Sequence, residues 1–298
     1  MTAPGPIVVV GDVMVDVVAA AAGPLAHASD TEARVRWTGG GAAANVAAWL
    51  AAERVPVALV ARAGADVAGR GAVAELHEAG VDVRVALDAK RATGTCVVVI
   101  GADGERTMLP DRGANLALAP DDLPAGLFVP GAHLHLSGYV LLHGGPRAAG
   151  LTALDHAREA GMTISIDPAS AAPLAACGVE RVLEWIGGVD LLLPNLDEAG
   201  VLTGALEPEA AARALISRAG AREVVVTLGA EGALWTDGHD VVRAVAPEVA
   251  HVVDTTGAGD AFAAGWLAAR RAGADPQTAL TAACALGARA VSRAGARP

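Results

Sequence analysis

Six short, strongly apolar runs recur along the chain, at residues 7–10, 57–60, 133–136, 163–166, 190–193 and 223–227, each with helix-like sequence nearby. Strands that are apolar at consecutive positions bury both faces, so the pattern predicts a parallel sheet covered by helices on its two sides. The helical candidates are rich in alanine, the strongest helix former: residues 42–53, 68–79, 147–160, 209–219, 257–271 and 276–291. The last opens with Asp275 in the N-cap position and Pro276 at the first helical position, where a missing N–H costs nothing. With 298 residues, 53% of them hydrophobic, the chain can bury roughly three quarters of its unfolded surface.

Two regions depart from the alternation. Residues 13–19 with 33–38, and 93–100 with 106–109, read as strands without helices between them, and Gly101-Ala102-Asp103-Gly104 signals a hairpin turn. These four strands are expected to form a small accessory sheet, inserted into the main domain, that closes over a ligand and keeps water from group-transfer chemistry. No repeat, low-complexity linker or charge block divides the chain.

Composition narrows the function classes. The formal net charge is −11, and Lys90 is the lone lysine, so no basic stripe is available to neutralise a polynucleotide. Cys96, Cys177 and Cys284 are widely separated and lack C-x-x-C spacing, which points away from a disulfide framework or zinc site and toward a reducing cytoplasm. The first residues lack a secretory pattern, and the longest uncharged stretch, residues 123–146, carries prolines, histidines and glycines that do not suit a membrane span.

The most specific segment is Asp254-Thr255-Thr256-Gly257-Ala258-Gly259-Asp260, a glycine turn that leads into an amphipathic helix. Amides at a helix start are natural anion ligands, and Asp260 follows where a carboxylate can reach both that anion and an acceptor hydroxyl. The plainer alternative is that Thr255 or Thr256 merely caps the helix. A second glycine turn, Gly39-Gly40-Gly41, opens a helix carrying Asn45, which can donate and accept bonds to hydroxyls. Gly39-x-Gly41-x-x-Ala44 also meets a relaxed dinucleotide fingerprint, but the half-polar segment before it is unlike a buried parallel strand.

Asp12 and Asp16 stand at the strand edge where open α/β sheets place ligands, with two solvated edge residues as the alternative. Asn195 and Glu198, three apart at a helix start, suit magnesium or a capping box equally well. Thr227-Leu228-Gly229-Ala230-Glu231-Gly232 is either a nucleotide-side loop or a simple hairpin. His133 and His135 share a strand face as metal ligands or as core packing. Trp37, next to the glycine turn, is expected near a ligand. No P-loop, nucleophile elbow or H-E-x-x-H sequence occurs.

Taken in order, Gly11-Asp12-x-x-x-Asp16, the Gly39 to Asn45 turn, Asn195-x-x-Glu198 and Asp254 to Asp260 resemble the ribokinase-like (PfkB) carbohydrate kinases over nearly the whole chain. The resemblance implies an α/β fold of three layers, α/β/α, with a central mostly parallel sheet and a small β-sheet lid. It implies one kinase domain over residues 1–298, with lid strands inserted at about 13–38 and 93–109. The implied reaction is transfer of the γ-phosphoryl group of ATP to a hydroxyl of a small sugar or nucleoside. Asp260 would be the base, and Gly257, Ala258 and Gly259 the anion hole. Asp12, Asp16, Gly40, Gly41 and Asn45 would bind the acceptor. Asn195, Thr227, Gly229, Gly232, Ala283 and Cys284 would border the nucleotide, and Asn195 with Glu198 would organise Mg2+. In potassium-activated members, the counterparts of Asp254 and the Thr256 carbonyl hold a monovalent cation such as K+ with groups near Gly295. A homodimer formed through the lid is a further implied partner.

Two departures weigh on the acceptor. Met14 stands where ribokinases proper carry an asparagine, and Ala42 where a lysine is common, which points away from D-ribose. The acidic pair and Asn45, beside Met14 and Trp37, favour a neutral sugar or nucleoside. Arg34, Arg36, Arg106 and Arg112 around the lid keep open a sugar phosphate or sugar acid. The rival classes are a catalytically silent ligand sensor and a Rossmann oxidoreductase.

Overall fold

The computed structural model describes residues 5–101 and 106–298. The expected hairpin turn at residues 101–104 falls largely outside them.

The chain begins with β1 (Ile7–Val10), β2 (Met14–Ala21), β3 (Ala33–Gly40), α1 (Ala42–Ala52), β4 (Val57–Gly64), α2 (Val67–Glu78) and β5 (Asp82–Asp88). It continues through β6 (Gly94–Ile100), β7 (Arg106–Asp111), β8 (His133–Ser137), α3 (Tyr139–Leu142), α4 (Arg147–Glu159), β9 (Thr163–Asp167), α5 (Ala171–Cys177) and α6 (Val179–Trp185). The remainder is β10 (Leu191–Leu192), α7 (Leu196–Thr203), α8 (Pro208–Ala219), β11 (Glu223–Thr227), β12 (Ala233–Thr236), β13 (Val241–Ala244), α9 (Ala258–Arg271) and α10 (Pro276–Val291).

The main sheet runs β13-β12-β11-β10-β9-β8-β1-β4-β5. All neighbours from β11 to β5 pair in parallel, while β12 and β13 add an antiparallel edge. The six apolar runs are all strands of the parallel part. β5 and β13 were not legible as strands of this sheet, because edge strands carry polar residues on their open side and lose the continuous apolar signature; β12, buried throughout, is only four residues long.

Consecutive strand residues serve opposite cores. Ile7 and Val9 pack with α1, α2, α9 and α10 on one side, and Val8 and Val10 with α4 to α8 on the other. Alanine lets these helices approach closely: a β-carbon on Gly265 of α9 would lie 2.9 Å from Cα of Ala283 on α10. Asp275 caps α10 by accepting the Thr278 N–H at 3.0 Å, a bond worth about 1 kcal/mol.

The second sheet is β3-β2-β6-β7, the four strands expected of the lid. Register puts Met14, Asp16 and Val18 on one face with Cys96 and Val98, and Val17, Trp37, Val97 and Leu109 in one row across the other. Trp37 is therefore on the face opposite Asp16 and is 68% exposed, so the expectation that it lines the ligand site is wrong. Strand alternation, which the distance from Gly39 does not reveal, decides its direction.

Candidate active site

Two joined cavities open at the carboxyl ends of the parallel strands. The polar one, about 300 Å3, has Gly257, Ala258, Gly259 and Asp260 on one wall and Asp167, Asn195 and Glu198 on another. The second, about 570 Å3, is largely apolar and shares Thr227, Gly229, Thr255, Ala258, Gly259 and Phe262 with the first. A flat ring system in the larger cavity would thus lead its polyanionic chain into the smaller one.

The glycine turn leads into α9, and the plainer alternative of a threonine cap is not realised. Gly257 itself is the N-cap, in left-handed conformation at φ 75°, and no threonine side chain caps the helix. Ala296 explains the glycine, since a β-carbon at 257 would sit 2.6 Å from its carbonyl oxygen. The Ala258 amide turns back to the Thr255 carbonyl at 3.3 Å, so the amides of Gly259 and Asp260 are the better placed of the first turn to meet an anion.

Asp260 faces the cavity, where burial first, then the charges of Asp167, Asp12 and Asp16, push its carboxyl well above the ordinary aspartate value. The Asn45 Nδ2 donates to its Oδ2 at 2.8 Å and opposes that shift. A carboxylate made more basic by its surroundings is suited to accept a hydroxyl proton.

Asn195 and Glu198 realise the capping-box reading of their spacing. They form a capping box for α7, with the Glu198 N–H donating to Asn195 Oδ1 at 2.9 Å and the Asn195 N–H donating to Glu198 Oε2 at 3.0 Å. They also line the polar cavity opposite the anion turn. Glu198 is 4% exposed and is pushed up to about 8, by burial first and by Asp167 second. Asp167, held at about 6 by burial, was missed in the sequence. Its signal was its place at the end of an apolar strand, before Pro168, on the sheet's ligand edge. Two acids, of which Asp167 raises the pKa of the buried Glu198, with an amide oxygen beside them, are a hard-oxygen donor set that fits magnesium shared with phosphate oxygens.

Asp254 and Thr256 lie at the start of the turn before α9. The buried Asp254 carboxylate accepts from Arg36 Nη2 at 3.2 Å, the Gly295 N–H at 3.1 Å and the Thr256 N–H at 3.0 Å. A guanidinium thus pairs with the acid that the resemblance assigns to a monovalent cation.

In the apolar cavity Cys284, Gly287, Ala288 and Val291 form one face of α10, together with Gly232 and Thr227. Ala283 is turned a third of a helical turn away, fully buried against α9, and does not border the cavity. Helical phase separates the neighbours and points to Gly287, Ala288 and Val291 in its place. The segment 227–232 forms the β11–β12 hairpin, and its residues also line the cavity.

On the lid side, Asp12 and Asp16 are buried at 3% and 6% exposure, not solvated. Gly40 makes room for the Asp16 carboxyl group, and Gly41, at φ 92°, for the backbone of residues 12–14. Burial pushes Asp16 up to about 6, an effect that Arg297 opposes and that Asp12 and Asp254 reinforce. Arg112 is the lid arginine that reaches this pocket. It donates to Asp12 Oδ2 at 3.2 Å and lies 3.8 Å over the Tyr139 ring. His143 borders the same small cavity as Asp12 and Arg112. His133 and His135 are packed together instead, Nε2 of the first and Nδ1 of the second lying 2.7 Å and 2.8 Å from Ser165 Oγ.

Comparison with known proteins agrees with this geometry along the whole chain. An ATP-dependent ribose-1-phosphate kinase from Halopiger xanaduensis is 34% identical over 281 residues, covering 90% of this chain and 86% of the relative. A 2-dehydro-3-deoxygluconokinase from Thermoproteus tenax is 33% identical over 301 residues, covering 97% and 89%. Among solved structures, a putative ribokinase II from E. coli in complex with ATP and Mg2+ superposes with a TM-score of 0.84 at 25% identity, covering 98% of this chain and 94% of that one. Aminoimidazole riboside kinase from Salmonella enterica, with aminoimidazole riboside and an ATP analog, gives 0.79 at 28%, covering 98% and 95%. The model of the pfkB carbohydrate kinases matches residues 6–298. With that model matched over nearly its whole length, the chain belongs to the pfkB family of carbohydrate kinases.

Proposed function

We propose that this kinase transfers the γ-phosphoryl group of ATP to a hydroxyl of a small sugar or nucleoside held between the lid and α1, with Asp260 as the base. The observation that carries the reading is that Asp260 stands where the phosphate-side cavity meets the acceptor side, hydrogen-bonded to Asn45 and beside the α9 amides.

The adenine ring and ribose lie in the 570 Å3 cavity between the 227–232 hairpin and α10, and the phosphates run toward Gly257, Ala258 and Gly259. The acceptor hydroxyl gives its proton to Asp260 as its oxygen bonds to the γ-phosphorus. The bond from phosphorus to the β–γ bridging oxygen breaks, and ADP leaves. Negative charge on the transferring group is met by the α9 amides and the positive end of that helix. Asn195, Glu198 and Asp167 would hold magnesium with the phosphates, and the ion supplies charge neutralisation on their oxygens. Asp16 and Asn45 accept and donate bonds to acceptor hydroxyls, while β2, β3, β6 and β7 limit water over the site.

A second reading of the acceptor rests on Arg112. Its side chain is 14% exposed and its guanidinium sits beside Asp12 and Tyr139, where a phosphate or carboxylate on the acceptor would compete for it. The test is ADP release over D-ribose, D-fructose, adenosine, aminoimidazole riboside, ribose-1-phosphate and 2-dehydro-3-deoxygluconate. A neutral acceptor as best substrate supports the first reading, and an anionic one whose KM rises in Arg112→Ala supports the second. ATP turnover with none of the six would count against both.

We also propose that the chain acts as one kinase domain with the lid inserted, and pairs with a second copy through the lid. Trp37, Val35 and Leu109 are 68%, 59% and 59% exposed on the lid face that turns away from Asp16. None of the described helices is long and apolar enough to cross a membrane, and the three cysteines are unpaired, which supports a reducing cytoplasm as its place.

A further inference from the structure

The segment that follows α10 returns across the site. The Gly295 N–H donates to Asp254, the Ala296 carbonyl accepts from Trp49 Nε1 of α1 at 2.9 Å, and Ala296 lies against Gly257 at the anion turn. Arg297 then enters beneath the β3–α1 glycine turn, with its side chain only 8% exposed. Its guanidinium is held at three points. Nη2 donates to the Gly40 carbonyl at 2.8 Å, Nη1 to Glu75 Oε1 at 2.9 Å, and Nε to Asn45 Oδ1 at 3.3 Å. Gly39 leaves the room, for a β-carbon there would collide with the guanidinium.

The Asn45 amide is thereby fixed from both ends. Its oxygen accepts from a cation, and its nitrogen donates to Asp260 Oδ2. A carboxamide turned over by 180° would direct an oxygen at the Asp260 carboxylate and N–H groups at a guanidinium, which is repulsive at both contacts. An asparagine without such an anchor can turn over, and then loses its donor to the base.

We propose that Arg297 is a positioning residue that locks the Asn45 amide with its donor toward Asp260, so that the tail after α10 sets the hydrogen bonding of the base without touching it. The proposal rests on the reading of Asp260 as the base only for its kinetic consequence, not for the coupling itself. Asp167, Asp12 and Asp16 also face Asp260, and all three act to raise its carboxyl pKa, so the Asn45 donor is the opposing contact that Arg297 secures.

The test is direct titration of Asp260 in the full chain by carboxyl 13C NMR, its resonance assigned by its absence from Asp260→Asn. Arg297→Ala is expected to raise the Asp260 pKa by about one unit, roughly a tenfold change in its proton affinity. Where a panel acceptor turns over, the acid limb of kcat should move by the same amount. In an Asn45→Ala background, adding Arg297→Ala should produce no further shift, because the pathway is already cut. Arg297→Met fills the same buried space without a donor and should shift Asp260 as the alanine does, should the alanine variant be too unstable to titrate. An unchanged Asp260 pKa in the Arg297 variants would overturn the proposal. So would an equal shift with and without Asn45, which would mean that the guanidinium acts through space. Near-normal turnover in Asp260→Asn would remove the base reading while leaving the measured coupling as it stands.

Discussion

The Asp16 carboxyl group occupies the space that a β-carbon on Gly40 would need, so the acid of one lid strand and the glycine of its neighbour are a matched pair. In the β2–β3 register Gly40 faces Met14, and Asp16 faces Thr38. The acid leans across that diagonal toward the acceptor side. Gly40→Ala is expected to displace Asp16 and raise the acceptor KM by about tenfold, leaving the KM for ATP within about twofold, since the displaced group touches only the acceptor. Asp16→Ala should show the same split. Steady-state kinetics against each substrate in turn decides the matter, and an unchanged acceptor KM in both variants would remove Asp16 from the pocket.

Asp260→Asn keeps the shape and the partner of Asn45 but cannot take a proton. Its kcat is expected to fall by at least about 10², while ATP still raises the melting temperature as in the parent enzyme. Loss of nucleotide binding along with turnover would instead mark the residue as a structural part of the anion turn.

Glu198 and Asp167 tie stability to pH. Burial and the charge of Asp167 lift Glu198 from 4.5 to about 8, and burial lifts Asp167 from 3.8 to about 6. A carboxyl that ionises less readily in the folded than in the unfolded chain contributes most below its ordinary value, and that contribution disappears as pH climbs to the folded value. The ligand-free protein should therefore lose Tm between about pH 5 and pH 8, and Glu198→Gln should lose less across that window. Thermal scans along a pH series measure this, and a Tm that climbs over the same range would contradict the stated environment. The same variant should need more magnesium for half-maximal turnover.

The cavity face of α10 predicts a nucleotide effect without an acceptor effect. Ala288→Phe places a ring in the 570 Å3 cavity and should raise the KM for ATP by about tenfold or more, with the acceptor KM unchanged. Ala283→Ser, directed at α9, should alter Tm before it alters either KM, and a selective effect on ATP would restore the residue to the nucleotide site.

The apolar row Trp37, Val17, Val97 and Leu109 predicts association. Trp37→Glu combined with Leu109→Glu should reduce the mass measured by light scattering from two chains to one, because charge on a buried apolar face is not tolerated. A parent protein of one-chain mass at micromolar concentration would end the dimer proposal.

What this amino-acid sequence determined by itself was local or periodic. The apolar runs specified the parallel strands because each buries both faces. Asp275 with Pro276 marked the start of α10, and the two glycine turns announced helix starts that can meet an anion or a hydroxyl. Each of these is decided within a few residues of chain. What only the tertiary structure decided was which distant groups meet. Asp167 joins Glu198 across β9 and α7, Arg36 takes the Asp254 carboxylate, Ala283 turns into the core while Ala288 faces the cavity, and Trp37 points away from the site. Arg297 reaches Asn45 across 252 positions of sequence. Strand alternation, helical phase and burial set these directions, and burial in turn sets the proton affinities of Asp16, Asp167, Glu198 and Asp260, because the cost of holding a charge depends on what surrounds it rather than on what precedes it in the chain.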